Sequence, residues 1–286
     1  MAKSALKWAG NKGFIATALE RLMHHEFDDL DNLRVMEPFI GSGGFSLHYE
    51  FKNVIANDVN PPLINYYETI KSSGIELFET ENDEETYYRH RDYFNEKVFA
   101  EEYDNELASI FLFLNRCCYN GLFRTNLKGG MNTPRGDIKK FPLWTIERAN
   151  ESASIISNWQ LSNGCFTELD TSKEIDLVYL DPPYAGKKMF TTYSGKKFTY
   201  QMQEQVIEFG ERFPESTRIM ISNSIFDKKL LKAYKEAGYT LYTIKVPRTI
   251  SAKVTERNAV DEVIAFKNFS TRRIKSLCEK LNYLKI

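Results

Sequence analysis

The sequence predicts an α/β protein built on a parallel-dominated sheet, with one mostly helical segment inserted between the two halves of that sheet. Three observations predict it. A short apolar run at residues 34–40 (RVMEPFI) closes in a glycine-rich turn, and a second run at 53–58 (NVIAND) ends in a carboxylate. A near-continuous apolar stretch at 175–180 (IDLVYL) suits a central strand buried on both faces, and two prolines stop it. Between these halves, residues 61–114 read as helical and are rich in charged and aromatic side chains.

The elements follow in order. Residues 45–51 read as the start of a helix after the glycine turn. Strand, glycine-rich turn, helix and a strand ending in an acid form the layout of a nucleotide-binding α/β unit. Residues 106–114 (ELASIFLFL) read as a buried helix. Residues 115–140, with Gly121, Gly129, Gly130, Pro134 and Gly136 among polar and basic neighbours, read as a turn-rich loop or hairpin. Helices are expected at 144–158, 201–212 and 227–237, and strands at 217–222, 239–246 and 262–266. The insertion is bounded near residues 60 and 160.

Composition narrows the function classes. A chain of 286 residues holds one α/β domain with an insertion, or two small domains. Hydrophobic residues make up 42% and charged residues 27%, as in a globular protein. No apolar run has the length of a bilayer span, and MAKSALKWAGNKG lacks the apolar core of a signal peptide, so a cytoplasmic protein is expected. The cysteines, Cys117, Cys118, Cys165 and Cys278, form no CxxC pair, and the histidines form no ligand pattern, so no metal is expected. The net charge of −1 counts mildly against nucleic-acid binding, yet the charges are unevenly placed. Residues 76–85 carry six acidic side chains, whereas 115–140 carry Arg116, Arg124, Lys128, Arg135, Lys139 and Lys140 against Asp137 alone. A local basic face is therefore allowed.

Four motifs carry chemistry. In Glu37-Pro38-Phe39-Ile40-Gly41-Ser42-Gly43-Gly44, glycines let the backbone turn sharply and approach a ligand, although an ordinary turn has the same composition. Asp58, ending the next strand, is placed to accept hydrogen bonds from ribose hydroxyls. Asp181-Pro182-Pro183-Tyr184 lies at the carboxyl end of the buried strand, where open α/β sheets bind ligands. There the Asp181 carboxylate and the Pro182 carbonyl can accept the two hydrogens of an exocyclic amine, and Tyr184 offers a face on which a base can stack. Leu6-Lys7-Trp8-Ala9-Gly10-Asn11-Lys12, taken alone, reads as an N-terminal arm with a core tryptophan. The block from Asn115 to Asn126 (NRCCYNGLFRTN), with Asn132-Thr133-Pro134, interleaves basic, amide and aromatic groups. It reads equally as a polar structural hairpin or as a nucleic-acid reader.

Together, LKWAGNK, EPFIGSGG, NRCCYNGLFRTN…NTP and DPPY, in that order, resemble the Dam-type, α-group DNA adenine-N6 methyltransferases of enterobacteria and phages. Arg248-Thr249-Ile250-Ser251 and Asp261-Glu262 resemble the end of the same pattern, so the likeness runs over roughly residues 5–267. The resemblance implies a Rossmann-like methyltransferase sheet from residues 1–60 and 160–270. It implies a mostly helical target-recognition domain containing a hairpin at 61–159, and leaves 271–286 as a C-terminal extension. It implies methyl transfer from S-adenosylmethionine to adenine N6 in double-stranded DNA, at GATC, after the adenine flips out of the duplex. Asp181, Pro182 and Tyr184 are the implied catalytic residues. Trp8, Lys12, Phe39, Gly41, Gly43, Asp58 and Asp181 are the implied cofactor contacts. Lys7 is implied to read the outer guanine. Tyr119, Asn120, Leu122, Arg124 and Pro134 form the implied recognition hairpin, where the tyrosine wedges into the stack and the arginine reads a guanine. Arg91, Arg116, Asn126 and Asn132 are the implied phosphate contacts. The chain departs from the family pattern at Asn11, at Ser42 and at Arg135-Gly136-Asp137-Ile138, where an aromatic, glycine and a basic-aromatic pair are usual.

Other classes fit less well. Protein glutamine methyltransferases tend to carry Asn-Pro-Pro-Tyr, and a small-molecule methyltransferase has no use for the 115–140 hairpin. An NAD-dependent oxidoreductase wants a third spaced glycine that Phe45 and Ser46 do not supply. A binding module that has lost catalysis is argued against by the intact DPPY and glycine turn.

Overall fold

Strand β4 (Leu177–Leu180) has all four residues buried. Side chains alternate faces along a strand, so an uninterrupted LVYL needs cover on both sides. The computed structural model that shows this describes residues 2–76, 79–126, 128–184, 198–225, 227–246, 260–270, 272, 274–275 and 284–285. Strand β4 pairs in parallel with β1 (Arg34–Glu37) on one side and β5 (Arg218–Ser224) on the other. Strands β2 (Asn53–Asp58) and β3 (Gln160–Asn163) extend the parallel run beyond β1. Strand β7 (Val260–Lys267) lies antiparallel between β5 and β6 (Thr240–Val246), and the two-residue β8 (Leu284–Lys285) pairs with β6. The order is β3-β2-β1-β4-β5-β7-β6-β8. The chain winds outward from β1 one way and from β4 the other, which makes the carboxyl ends of β1 and β4 the switch point where such sheets bind ligands.

Helices cover both faces. On one, α1 (Gly13–Glu26), α2 (Pro61–Ser72) and α4 (Asn105–Cys117) bury Ile15, Leu19, Leu63, Tyr67 and Phe111 in a cluster with Val35, Leu177 and Tyr179. On the other, α7 (Tyr200–Glu211) and α8 (Lys228–Glu236) bury Val206, Phe209, Leu230 and Tyr234 against Val178, Leu180 and Ile219. Every residue of α4 from Leu107 to Cys117 is buried. Such an all-round apolar helix needs neighbours on each side. It finds them in α2 and in α3 (Glu84–Phe99). Short polar side chains set the helix starts: Asn60, Asp83, Asp104, Thr199 and Asp227 each accept a backbone N–H of the first turn. Each such cap is worth about 1 kcal/mol.

The sequence expectations need several corrections. Residues 45–51 form turns, not a helix. Their hydrogen bonds mix four-residue (Leu47 N to Gly43 O), three-residue (His48 N to Phe45 O) and five-residue spacings (Phe51 N to Ser46 O), and Glu50 takes a φ of 55°. The expected helical stretch 61–114 is three helices, broken at Gly74 (φ 81°) and at the Asp104 cap. The stretch 144–158 divides into α5 (Trp144–Glu151) and α6 (Ala153–Ile156) at Ser152. Helix α1 and strand β3 carry no reading in the sequence analysis; β3 is a four-residue edge strand with no fully buried position. Arg248-Thr249-Ile250-Ser251 and most of 271–286 lie outside the described residues. Among the described residues no helix is long and apolar enough to cross a membrane, and no group of three His, Cys, Asp or Glu is placed to hold a metal ion.

Candidate active site

Pro38 and Pro182 end their strands early, since neither can donate to the ladder. The chain leaving β1 therefore enters the glycine turn, and the chain leaving β4 enters Asp181-Pro182-Pro183-Tyr184, side by side at the switch point. Asp181 holds the centre. Its Oδ1 accepts from Ser222 Oγ at 2.8 Å, and Ser222 in turn lies 3.1 Å from Tyr179 Oη. Its Oδ2 is 2.8 Å from Lys12 Nζ, a side chain only 5% exposed, which also donates to Gly10 O at 2.6 Å. The same ammonium stands 4.9 Å from the centroid of the Tyr184 ring. Burial raises the Asp181 carboxyl above its ordinary value, while Lys12 and Ser222 pull it down.

The turn after β4 is anchored from beneath. Gln203 Nε2 donates to Pro183 O at 2.7 Å, and Asn223 Nδ2 donates to Gln203 Oε1 at 2.9 Å and to Tyr234 Oη at 3.1 Å. Tyr184 Oη donates to Glu262 Oε2 at 2.6 Å, which fixes the ring from β7. Locking of this kind keeps a reactive constellation in geometry without rearrangement during reaction.

The glycine turn forms the neighbouring half of the site. Gly41 has φ 49° and Gly43 φ 66°. A Cβ on Gly41 would lie 3.0 Å from Trp8 Nε1, and one on Gly43 would lie 2.9 Å from Tyr67 Oη, so neither position has room for a side chain. Asp58 closes the turn: Oδ2 accepts from Gly41 N at 3.1 Å and Oδ1 from Asn60 N at 3.0 Å. Burial pushes its carboxyl up to about 6. Asn11 joins the arm to the turn, donating to Ser42 Oγ at 2.9 Å and accepting from Gly13 N. Two of the positions where the chain departs from the family pattern, Asn11 and Ser42, thus bond each other. Phe39 packs on Phe166 at 4.9 Å and on Phe198 at 6.0 Å, an apolar corner where the chain leaves β1.

Glu37 lies deeper, 2% exposed, with Ser46 Oγ donating to its carboxylate. Burial pushes it from 4.5 up to about 8. A raised acid is favoured protonated in the folded chain, so its contribution to stability is complete below about 4.5 and is lost as pH rises through about 8. Glu37→Gln, which imitates the protonated carboxyl, is expected to flatten that loss. Between roughly pH 6 and pH 9 the melting midpoint of the wild type should fall further than that of the variant. Parallel falls would show that another group is responsible.

The recognition block folds as a hairpin. Tyr119 N donates to Pro134 O at 2.8 Å, Asn132 N to Arg124 O at 3.1 Å and Asn126 N to Gly130 O at 2.8 Å. Thr133 Oγ1 donates to Leu122 O and accepts from Arg124 N. Asn126 Oδ1 accepts from Lys128 N and Gly130 N, so this side chain closes the tip. Asn120 sits at φ 53° and Tyr119 is 39% exposed. Helix α3 props the hairpin: Asn95 binds both N and O of Met131, and Tyr87 Oη donates to Thr133 O. On that helix Arg91 lies 4.5 Å over the Tyr88 ring and bonds Asp92. Arg116 is buried to 8% exposure and donates to Ala5 O.

The hairpin and the catalytic turn are linked through the arm. Asn115, fully buried, accepts from Lys7 N and donates to Lys7 O, both at 2.8 Å. A Cβ on Gly121 would fall 2.7 Å from Lys7 Cβ, so the arm lies directly on the hairpin base. Trp8 stacks on Phe123, 6.0 Å apart at 18°. The structure thus gathers Trp8, Lys12, Phe39, Gly41, Gly43, Asp58, Asp181, Pro182 and Tyr184 around one switch point, with Lys7, Tyr119, Asn120, Leu122, Arg124 and Pro134 alongside. Asn115, Ser222, Gln203, Asn223 and Asn95 have no role legible in the sequence. Asn115 and Glu262 stood inside quoted motifs; the other four carry no local signal.

A glycine cradle and an acidic strand end beside an Asp-Pro-Pro-Tyr turn, on this sheet order, define a methyltransferase acting on an amino group. The D12 class N6 adenine-specific DNA methyltransferase family matches residues 8–250, and the chain belongs to that family. It is an adenine-specific DNA methyltransferase, with DNA as its substrate. It is 32% identical over 280 residues to the DNA adenine methylase of Escherichia coli strain K12, covering 92% of this chain and 94% of that one. It is 30% identical over 283 residues to the DNA adenine methylase of Serratia marcescens, covering 92% and 97%. It is 29% identical over 277 residues to the type II methyltransferase M.MjaIII of Methanocaldococcus jannaschii, covering 89% and 95%.

Proposed function

We propose that this chain moves a methyl group from S-adenosylmethionine to N6 of the adenine in GATC, after rotating that adenine out of duplex DNA. The observation that carries the reading is the place of Lys12 Nζ. A nitrogen donor already stands at hydrogen-bond distance from Asp181 and over the ring of Tyr184. An adenine stacked on Tyr184 with N6 donating to Asp181 needs that place, so Lys12 yields it when the base enters.

The residues fit the cofactor. The Gly41–Gly43 turn, which a Cβ would fill, takes the methionine portion, with Trp8 and Lys12 beside it. Asp58 meets the ribose hydroxyls, and the Phe39 corner meets the purine ring. When bound, S-adenosylmethionine supplies a methyl activated by its sulfonium. Asp181 accepts one N6 hydrogen and the Pro182 carbonyl the other, which turns the nitrogen lone pair outward for in-line attack. Transfer then rests on positioning. Once N6 holds the methyl it would release one proton to solvent, so no base would be required before the attack. No protein nucleophile is required.

Flipping costs a few kcal/mol of stacking and pairing. Tyr119 occupies the gap left by the adenine, Arg124 reads one guanine and Lys7 the outer one, with Asn120, Leu122 and Pro134 shaping the hairpin. Arg91, Arg116, Asn126 and Asn132 provide the phosphate side of the interface, Asn126 through the tip that it closes and Arg116 through its charge at the hairpin base. Residues 1–60 and 160–270 serve as the cofactor-binding domain, 61–159 as the target-recognition domain and 271–286 as an extension. Flipping and site choice are tested together with 2-aminopurine at the target position. A duplex carrying it within GATC should brighten on binding, while one with the flanking guanine exchanged should stay dark. Equal brightening would remove GATC, and no brightening in either would remove flipping.

A further inference from the structure

Trp144 opens α5 and is 41% exposed. The guanidinium carbons of Arg116 and Arg148 lie 4.6 and 4.3 Å from its ring centroid. Two cations thus share one indole, and among the described residues neither forms an ion pair with a carboxylate. Arg116 Nε is buried without a hydrogen-bond partner. Burial first, and Arg148 second, loosen the hold of Arg116 on its proton. The like charges repel, and an anion is what offsets them. Arg116 belongs to the last turn of α4, two residues before the hairpin begins at Cys118. Through Arg116 the pair lies at the base of the hairpin.

We propose that Trp144 and Arg148, beside Arg116, form a sequence-independent contact for the DNA backbone beside the recognition hairpin. Arg148 supplies the reaching charge, because Arg116 is tied to Ala5 O. The indole fixes Arg148 in place, since a guanidinium over an aromatic face is attracted to it. Contacts of this kind orient the duplex and carry no base information. The proposal rests on the family membership of the chain as a DNA methyltransferase and extends its footprint to α5.

The test is duplex binding by the full chain as a function of salt, with a GATC duplex and one lacking the site. Arg148→Ala should lower the slope of log affinity against log salt by about 0.9, the value of one lost phosphate contact. Both duplexes should weaken by the same factor. Arg148→Lys should retain the slope, and Trp144→Leu should lose part of the affinity with the charge intact. Melting midpoint and cofactor binding serve as folding controls. An unchanged slope in Arg148→Ala, or weakening of the GATC duplex alone, would overturn the contact while leaving the enzyme reading standing. A wild-type chain that holds neither duplex would overturn both.

Discussion

Asp181→Ala is expected to lose turnover by on the order of 10²–10³-fold or more while still holding DNA and S-adenosylmethionine. The loss follows from geometry. Ser222 on Oδ1 aims the carboxylate, and Oδ2 faces the place where Lys12 Nζ now stands. Without those oxygens N6 loses its directing acceptor, and Pro182 O alone cannot orient the lone pair. Burial opposes the charge of Asp181, but its removal leaves the buried Lys12 ammonium without its carboxylate, so the melting midpoint is measured beside turnover as the folding control. Lys12 keeps its bond to Gly10 O. Asp181→Asn retains one acceptor oxygen and should fall between the two. Single-turnover methylation with bound duplex separates chemistry from binding; wild-type rates in Asp181→Ala would sink the mechanism.

The second large effect is expected at a residue remote from the reacting atoms. Asn115→Ala removes two bonds that hold the backbone of Lys7. Each group left unpaired costs about 1–3 kcal/mol. With this clamp on the hairpin base lost, the arm shifts Trp8 away from the Gly41 turn that takes the methionine portion. A displacement of about 1 Å is enough to cost about 10²-fold in rate. Steady-state kinetics should therefore show kcat/KM down by about that factor. Asn115→Asp, which keeps the acceptor for Lys7 N, should retain part of the activity. Full activity in Asn115→Ala would show that the arm docks without its clamp.

What the sequence made legible is what lies close together along the chain. Strand β4 could be read because four consecutive apolar residues admit one environment, and the prolines after it fix where it stops. The glycine turn and Asp58 belong to one continuous α/β unit. The Lys12–Asp181 pair was not legible as a contact: 169 positions separate its members, and only the folded sheet brings the arm to the switch point. The same holds for Asn115 and Lys7, and for the Gln203–Asn223 chain beneath Pro183. Arg116 teaches a different lesson. Its motif suggests an exposed contact, yet the fold buries it against Trp144, and the more accessible charge there is Arg148, which lies in a helix without any motif. Residues 45–51 misled because a helix is the usual element after a strand and a glycine turn, while here the backbone is constrained at Gly43 and at Glu50.

The most direct measurement is methyl transfer from labelled S-adenosylmethionine to a duplex with one GATC site, beside a duplex in which GTTC replaces it. The account predicts label on the GATC duplex alone, recovered as N6-methyladenine at that position. Label recovered on another base or atom, or no label on any duplex including whole genomic DNA, would contradict it.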